Sequence, residues 1–114
     1  MLVKKNRLSS RNAVRRSSRY GKQVRYAEFS LRYIDNNTKL PRLAVVVSKK
    51  VNKSAVKRNK IKRKVVEAYR QNLLTGIKQP VDLVVFVHNE KATQKSSLQL
   101  VQDLRRLMEK GKII

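Results

Sequence analysis

Leu43-Ala44-Val45-Val46-Val47-Ser48 and Val81-Asp82-Leu83-Val84-Val85-Phe86-Val87 are two short apolar runs with a long basic segment between them. Each run is continuous rather than alternating, the pattern of a strand covered on both faces. From about Ser54 to Leu74 the pattern changes to a helical one. Ile61, Val65, Ala68 and Asn72 fall on one side, flanked by Tyr69, and Lys60, Arg63, Glu67 and Arg70 fall on the other. Strand, helix and strand in this order make a strand–helix–strand unit.

The flanking sequence extends this unit. Ser97 to Lys110 reads as a second strong helix, with Ser96 and Gln99 as a capping box and Gly111 as its terminating residue. Leu100, Val101, Leu104, Leu107 and Met108 form its apolar stripe, which is read as core. Residues 9–20 read as a sparser helix, capped by Ser9 or Ser10 and closed by Gly21 in the left-handed conformation. Residues 23–34 alternate in places (Val24, Tyr26, then Phe29, Leu31, Tyr33) and read as one strand with one buried face; residues 35–39 read as a loop. The expected fold is a small α+β sandwich, with helices packed on one sheet of the four-stranded type.

The chain has 114 residues, enough for one domain, 1–114, with residues 1–8 as a flexible basic arm and 111–114 as a tail. It holds no Cys, which excludes disulfides, thiolate metal sites and a thiol nucleophile. No apolar run approaches the roughly 20 residues that span a bilayer, and no apolar stretch follows the first charges as in a secretory signal. The expected setting is the cytoplasm.

Charge is the strongest functional signal. Lys and Arg number 29 against 7 Asp and Glu, a net charge of +22. Self-repulsion of that size opposes compaction unless a polyanion relieves it, and nucleic acid does so by releasing counterions. An anionic membrane would call for a basic helix with a broad apolar face, and the basic stretches have none. The charge sits in two acid-free segments. Residues 1–25 carry Lys4, Lys5, Arg7, Arg11, Arg15, Arg16, Arg19, Lys22 and Arg25. Residues 49–64 carry Lys49, Lys50, Lys53, Lys57, Arg58, Lys60, Lys62, Arg63 and Lys64. The second segment runs from a strand end, through a loop, into the first turns of a helix. Cations there oppose the helix dipole, so the arrangement disfavours the free fold and favours a bound phosphate.

Val47-Ser48-Lys49-Lys50-Val51, followed by Ala55-Val56-Lys57-Arg58-Asn59-Lys60-Ile61-Lys62-Arg63, resembles the signature of the bacterial ribonuclease P protein: a strand ending in Ser-Lys-Lys, a short loop, Ala-Val, then Arg-Asn-x-x-Lys-Arg on a helix. Asn6-Arg7-Leu8 and Val81-Asp82-Leu83-Val84-Val85 also resemble family segments, so the likeness runs from about residue 4 to 108. The resemblance implies a left-handed strand–helix–strand crossover, against the usual right-handed rule. It implies contact with ribonuclease P RNA by Lys49, Lys50, Lys53, Lys57, Arg58, Asn59, Lys60, Lys62 and Arg63. A cleft for the single-stranded 5′ leader of precursor tRNA would take in Arg11, Val14 and Ser18 on the first helix, with Phe29 and Tyr33 on the neighbouring strand. Hydrolysis would belong to the RNA, with Mg²⁺ held mainly by that RNA and none by the protein alone. The protein would act as a monomer within the ribonucleoprotein. Four features depart from the family pattern. Lys60 replaces a second Arg, and Val66 a further basic residue. The loop Asn52-Lys53-Ser54 is one residue longer and lacks Gly. Val14 and Ser18 stand where two Phe-like residues line the cleft.

The residues build no active site of their own. His88 is the only His and reads as structural; Glu28, Asp35, Glu67, Asp82, Glu90, Asp103 and Glu109 are scattered singly. Metal-assisted hydrolysis needs convergent ligands. A small basic ribosomal or ribosome-associated protein shares this composition and differs in lacking the motif. A nonspecific DNA binder would show helix-turn-helix or zinc spacing, and neither is present.

Overall fold

The computed structural model describes residues 6–8, 11–36, 38, 40–77 and 79–114, and the side chains of Arg11, Ala13 and Thr93 lie outside the described set. The element order is α1 (Arg11–Tyr20), β1 (Lys22–Tyr26), β2 (Phe29–Asp35), β3 (Arg42–Val47), α2 (Ala55–Ala68), β4 (Val81–Val87) and α3 (Ser97–Lys110). The strands form one sheet in the order β1-β2-β4-β3. β1, β2 and β4 are antiparallel neighbours, and β3 runs parallel to β4 at the edge.

The fourth strand comes from a hairpin inside the segment expected to be one strand. Tyr26 pairs with Phe29, leaving Ala27-Glu28 as the turn. Ala27 adopts φ +54°, a left-handed conformation disfavoured for a residue with a Cβ. The usual Gly or Asn signal is missing, so the turn is silent in the sequence.

Helices cover both faces of the sheet. Leu31 of β2, Leu43 and Val45 of β3, and Leu83 and Val85 of β4 pack with Ile61, Val65, Leu100, Leu104 and Leu107 in one core. Side chains alternate along a strand, so Val84 points the other way. It is nonetheless fully buried. α1 is the element that covers it, packing on β4 and β2 through the fully buried Ser17.

Both strong helices start where expected. The Ser54 hydroxyl accepts from the Lys57 amide at 3.3 Å, and the Ser96 hydroxyl from the Gln99 amide at 3.2 Å. α2 ends differently. A π-helical turn, Tyr69–Leu73, follows it. Its extra residue rotates the helix, so Leu73 enters the core in place of Asn72, which is exposed.

Four further expectations are corrected. β3 is not covered on both faces: Leu43 and Val45 are buried, but Ala44 and Val46 are only half-buried on the open side of an edge strand. The basic arm is pinned over residues 6–8. The Leu8 amide donates to the Leu43 carbonyl at 2.9 Å, the Asn6 side chain to the Pro41 carbonyl at 3.0 Å, and Leu8 is buried. Residues 111–114 are not a loose tail, since Ile113 is buried in the core. Gly21 is not left-handed, whereas Gly111 caps α3 as expected. Gly21 allows close approach instead: a Cβ there would overlap the Ser17 carbonyl oxygen and lie 2.8 Å from that of Tyr33. The left-handed residue after α3 is Lys112, at φ +57°. Ser9 and Ser10, the expected caps of α1, lie outside the described residues.

Candidate nucleic-acid interface

The cationic segment runs along one loop and into the helix that follows it. β3 ends at Val47, residues 49–51 turn, and Ser54 caps α2. Lys49, Lys50, Lys53, Lys57, Asn59, Lys60, Lys62 and Arg63 are exposed, and Arg58 is half-buried. Asn59 and Arg63 lie opposite the buried line Ile61, Val65 and Ala68, and Lys60 flanks it. No acid stands in the first turn of α2. The helix N-terminus and the cations therefore add to one positive field.

Two side chains hold the loop that feeds this face. Asn52 accepts from the Ser54 amide at 2.9 Å and donates to Glu90 Oε1 at 2.7 Å, which ties the entry of α2 to the exit of β4. Arg58 donates through one guanidinium nitrogen to the carbonyls of Asn52 (3.0 Å) and Lys53 (2.9 Å). Arg58 is thus partly committed to loop structure, whereas Arg63 is exposed.

The expected cleft divides between the two faces of the sheet. Val14 and Ser18 are half-buried on α1. Phe29 is not available to a base: it is fully buried in the core, with the Lys95 ammonium 5.8 Å from its ring centre. Tyr33 is on the α3 side too, its Cε1 only 3.2 Å from where a Gly111 Cβ would stand. Both have the wrong parity for the α1 face, which takes Ser30, Arg32 and Ile34 from β2. Arg11 contributes backbone to α1, and its side chain lies outside the described set.

On the α1 face a different row is partly open, with Ser30 buried within it. Arg25, Ser30, Phe86 and Val46 are successive register partners across β1, β2, β4 and β3. Phe86 and Val46 are half-buried and Arg25 is exposed. His88 follows on the same side, its amide bonded to the Glu28 carbonyl at 2.8 Å. Its Nε2 lies 2.6 Å from the Ser30 hydroxyl, and its ring is nearly parallel to that of Phe86 (14° between planes, 6.4 Å between centres). Desolvation and then the charge of Arg25 push the His88 pKa below its ordinary value, favouring the neutral ring. This row escaped the sequence reading because a continuously apolar strand shows no alternation. Only the pairing of Ser30 with Phe86 reveals the parity.

The carboxylates are mostly engaged elsewhere. Glu28 and Asp103 both hold the Lys95 ammonium, and Asp82 pairs with Arg42. The Arg70 guanidinium holds the Glu67 carboxyl down at about 2. Among the described residues no three metal-binding side chains gather. On the cationic face the ammonium and guanidinium groups offer Mg²⁺ no oxygen ligand, while the exposed Asn59 carries an amide oxygen.

A small α+β domain, with a basic loop and helix face beside a partly open row of sheet, defines a class of RNA-binding protein. The ribonuclease P family model matches residues 2–112, and the chain belongs to the bacterial ribonuclease P protein family. A curated relative from Pseudanabaena sp. (strain PCC 6903), a ribonuclease P protein component, is 36% identical over 115 residues, covering 100% of this chain and 97% of its own. One from Clostridium botulinum (strain Loch Maree / Type A3) is 35% identical over 111 residues, covering 97% and 98%. The solved Staphylococcus aureus RNase P protein has a TM-score of 0.79 at 26% identity, covering 95% and 96%. That of Thermotoga maritima also scores 0.79, at 28% identity, covering 91% and 96%. These likenesses make the chain a protein component of ribonuclease P, and they give no support to a ribosomal role.

Proposed function

We propose that the chain holds ribonuclease P RNA on the loop and helix face from Lys49 to Arg63. It grips the 5′ leader of precursor tRNA in the cleft between α1 and the partly open row of the sheet. The RNA carries out the hydrolysis with its own Mg²⁺. The protein binds as a single copy, in the cytoplasm, and its charge relieves phosphate repulsion between the two RNAs. The observation that carries this reading is the run of exposed Lys and Arg side chains from the end of β3 to the middle of α2, with no acid in the helix's first turn.

The test is a titration of ribonuclease P RNA at several salt concentrations. Each phosphate contact contributes about 0.9 to the slope of log K against log salt. The double variant Lys62→Ala, Arg63→Ala should bind more weakly and with a shallower slope. An unchanged slope would remove this face from the interface.

A further inference from the structure

The stacking groups expected on α1 are replaced by Val14 and Ser18, neither of which is aromatic. The α1 face of the sheet supplies two rings instead. Phe86 and His88 are two residues apart on one strand, so both project to the same side. Their planes differ by 14°, so a base lying parallel to one ring is nearly parallel to the other. Phe86 is half-buried and fixed by the sheet, while His88 is exposed. An exposed imidazole would ordinarily rotate freely. Here the Ser30 hydroxyl, itself only 2% exposed, holds its Nε2 at 2.6 Å.

The surroundings fit one kind of occupant. Arg25 stands at one end of the row. At the other end Val46 leads, three and four residues on, to Lys49 and Lys50. Two parallel rings between cations suit an unpaired base whose flanking phosphates reach both sides. A duplex would meet the cations but could not present a base face to the rings.

We propose that Phe86 and His88 form the stacking subsite for one unpaired base of the leader, with Ser30 as the positioning residue that sets the His88 ring. This rests on the cleft reading given above. The aromatic contact has moved from the helical wall of the cleft to its sheet floor. Ser30 acts only through His88, so its loss has no consequence once the ring is gone.

The experiment uses holoenzyme reconstituted from the full chain and a bacterial ribonuclease P RNA. It measures affinity for precursor tRNA with a leader and for mature tRNA without one. His88→Ala should weaken binding of the precursor about tenfold, the scale of one base–aromatic contact. Mature tRNA should bind as before. His88→Tyr should restore the affinity. Ser30→Ala should weaken precursor binding alone, but add nothing to His88→Ala. An abasic nucleotide moved along the leader should find one position that weakens the wild type and has no effect on His88→Ala. Phe86→Leu, which keeps the apolar filling, should fold normally and lose part of the same preference. Equal loss on both tRNAs, no rescue by Tyr, or no position coupled to His88 would overturn the subsite while leaving the cleft intact. Equal binding of both tRNAs by the wild type would overturn the cleft reading and the subsite together.

Discussion

Arg42 and Asp82 face each other across β3 and β4 as a two-pronged ion pair, Nε to Oδ1 and Nη2 to Oδ2 each at 2.8 Å. Asp82 is 3% exposed and also accepts from the Asn36 side chain at 2.9 Å. The pair locks the edge strand that leads into the basic loop. Asp82→Ala leaves a partly buried guanidinium without its partner, and should destabilise the fold by about 3 kcal/mol in urea unfolding. A loss below about 0.5 kcal/mol would show that the pair is merely tolerated.

Gly21 sets the angle between α1 and the sheet. Gly21→Ala places a methyl group against the carbonyl oxygens of Ser17 and Tyr33, which are backbone and cannot rotate away. The expected loss is about 3 kcal/mol, within the range for overpacking and strain. Amide shifts should concentrate in α1 and β2. A variant of unchanged stability would mean that α1 packs less closely than the structure shows.

The two arginines of the helical motif should separate experimentally. Arg58→Ala removes the bonds to the Asn52 and Lys53 carbonyls and should lower the melting temperature. Arg63→Ala should leave melting unchanged and flatten the salt dependence of RNA binding by about 0.9 in slope. If Arg63→Ala melts early and keeps its slope, the roles are reversed.

His88 is the only histidine, so one imidazole resonance reports it. It should titrate below the ordinary value of about 6.5. Its contribution to stability is fully present above the unfolded pKa and declines as pH falls toward the lower folded value. Arg25→Ala should move the midpoint back up. A midpoint above 6.5 would mean that the ring is neither desolvated nor near that cation.

Most of the scaffold was legible in the sequence. Ser96 marked a helix start because a hydroxyl there answers a free amide, and the change to helical spacing near Ser54 marked the other, where Ser54 is the cap. Ile61 and Val65, with Leu100 and Leu104, marked buried faces by their spacing. Three features were hidden by the physics that made them. The hairpin turns on Ala27, which adopts a conformation its residue type does not advertise. The π turn slips the helical register by one residue, so Leu73 rather than Asn72 meets the core. The direction of each β4 side chain was invisible because both faces are apolar. For the site, the exposed basic face was readable as a run of charge without acids. The cleft floor was not, because Phe29 and Phe86 differ in parity, and parity is fixed only by pairing between strands.

Cleavage of labelled precursor tRNA at low Mg²⁺ tests the central claim most directly, with this protein alone, a bacterial ribonuclease P RNA alone, and both together. Cleavage at the mature 5′ end only when both are present is the predicted result. Cleavage by the protein alone, or no stimulation of the RNA despite tight binding, would contradict it.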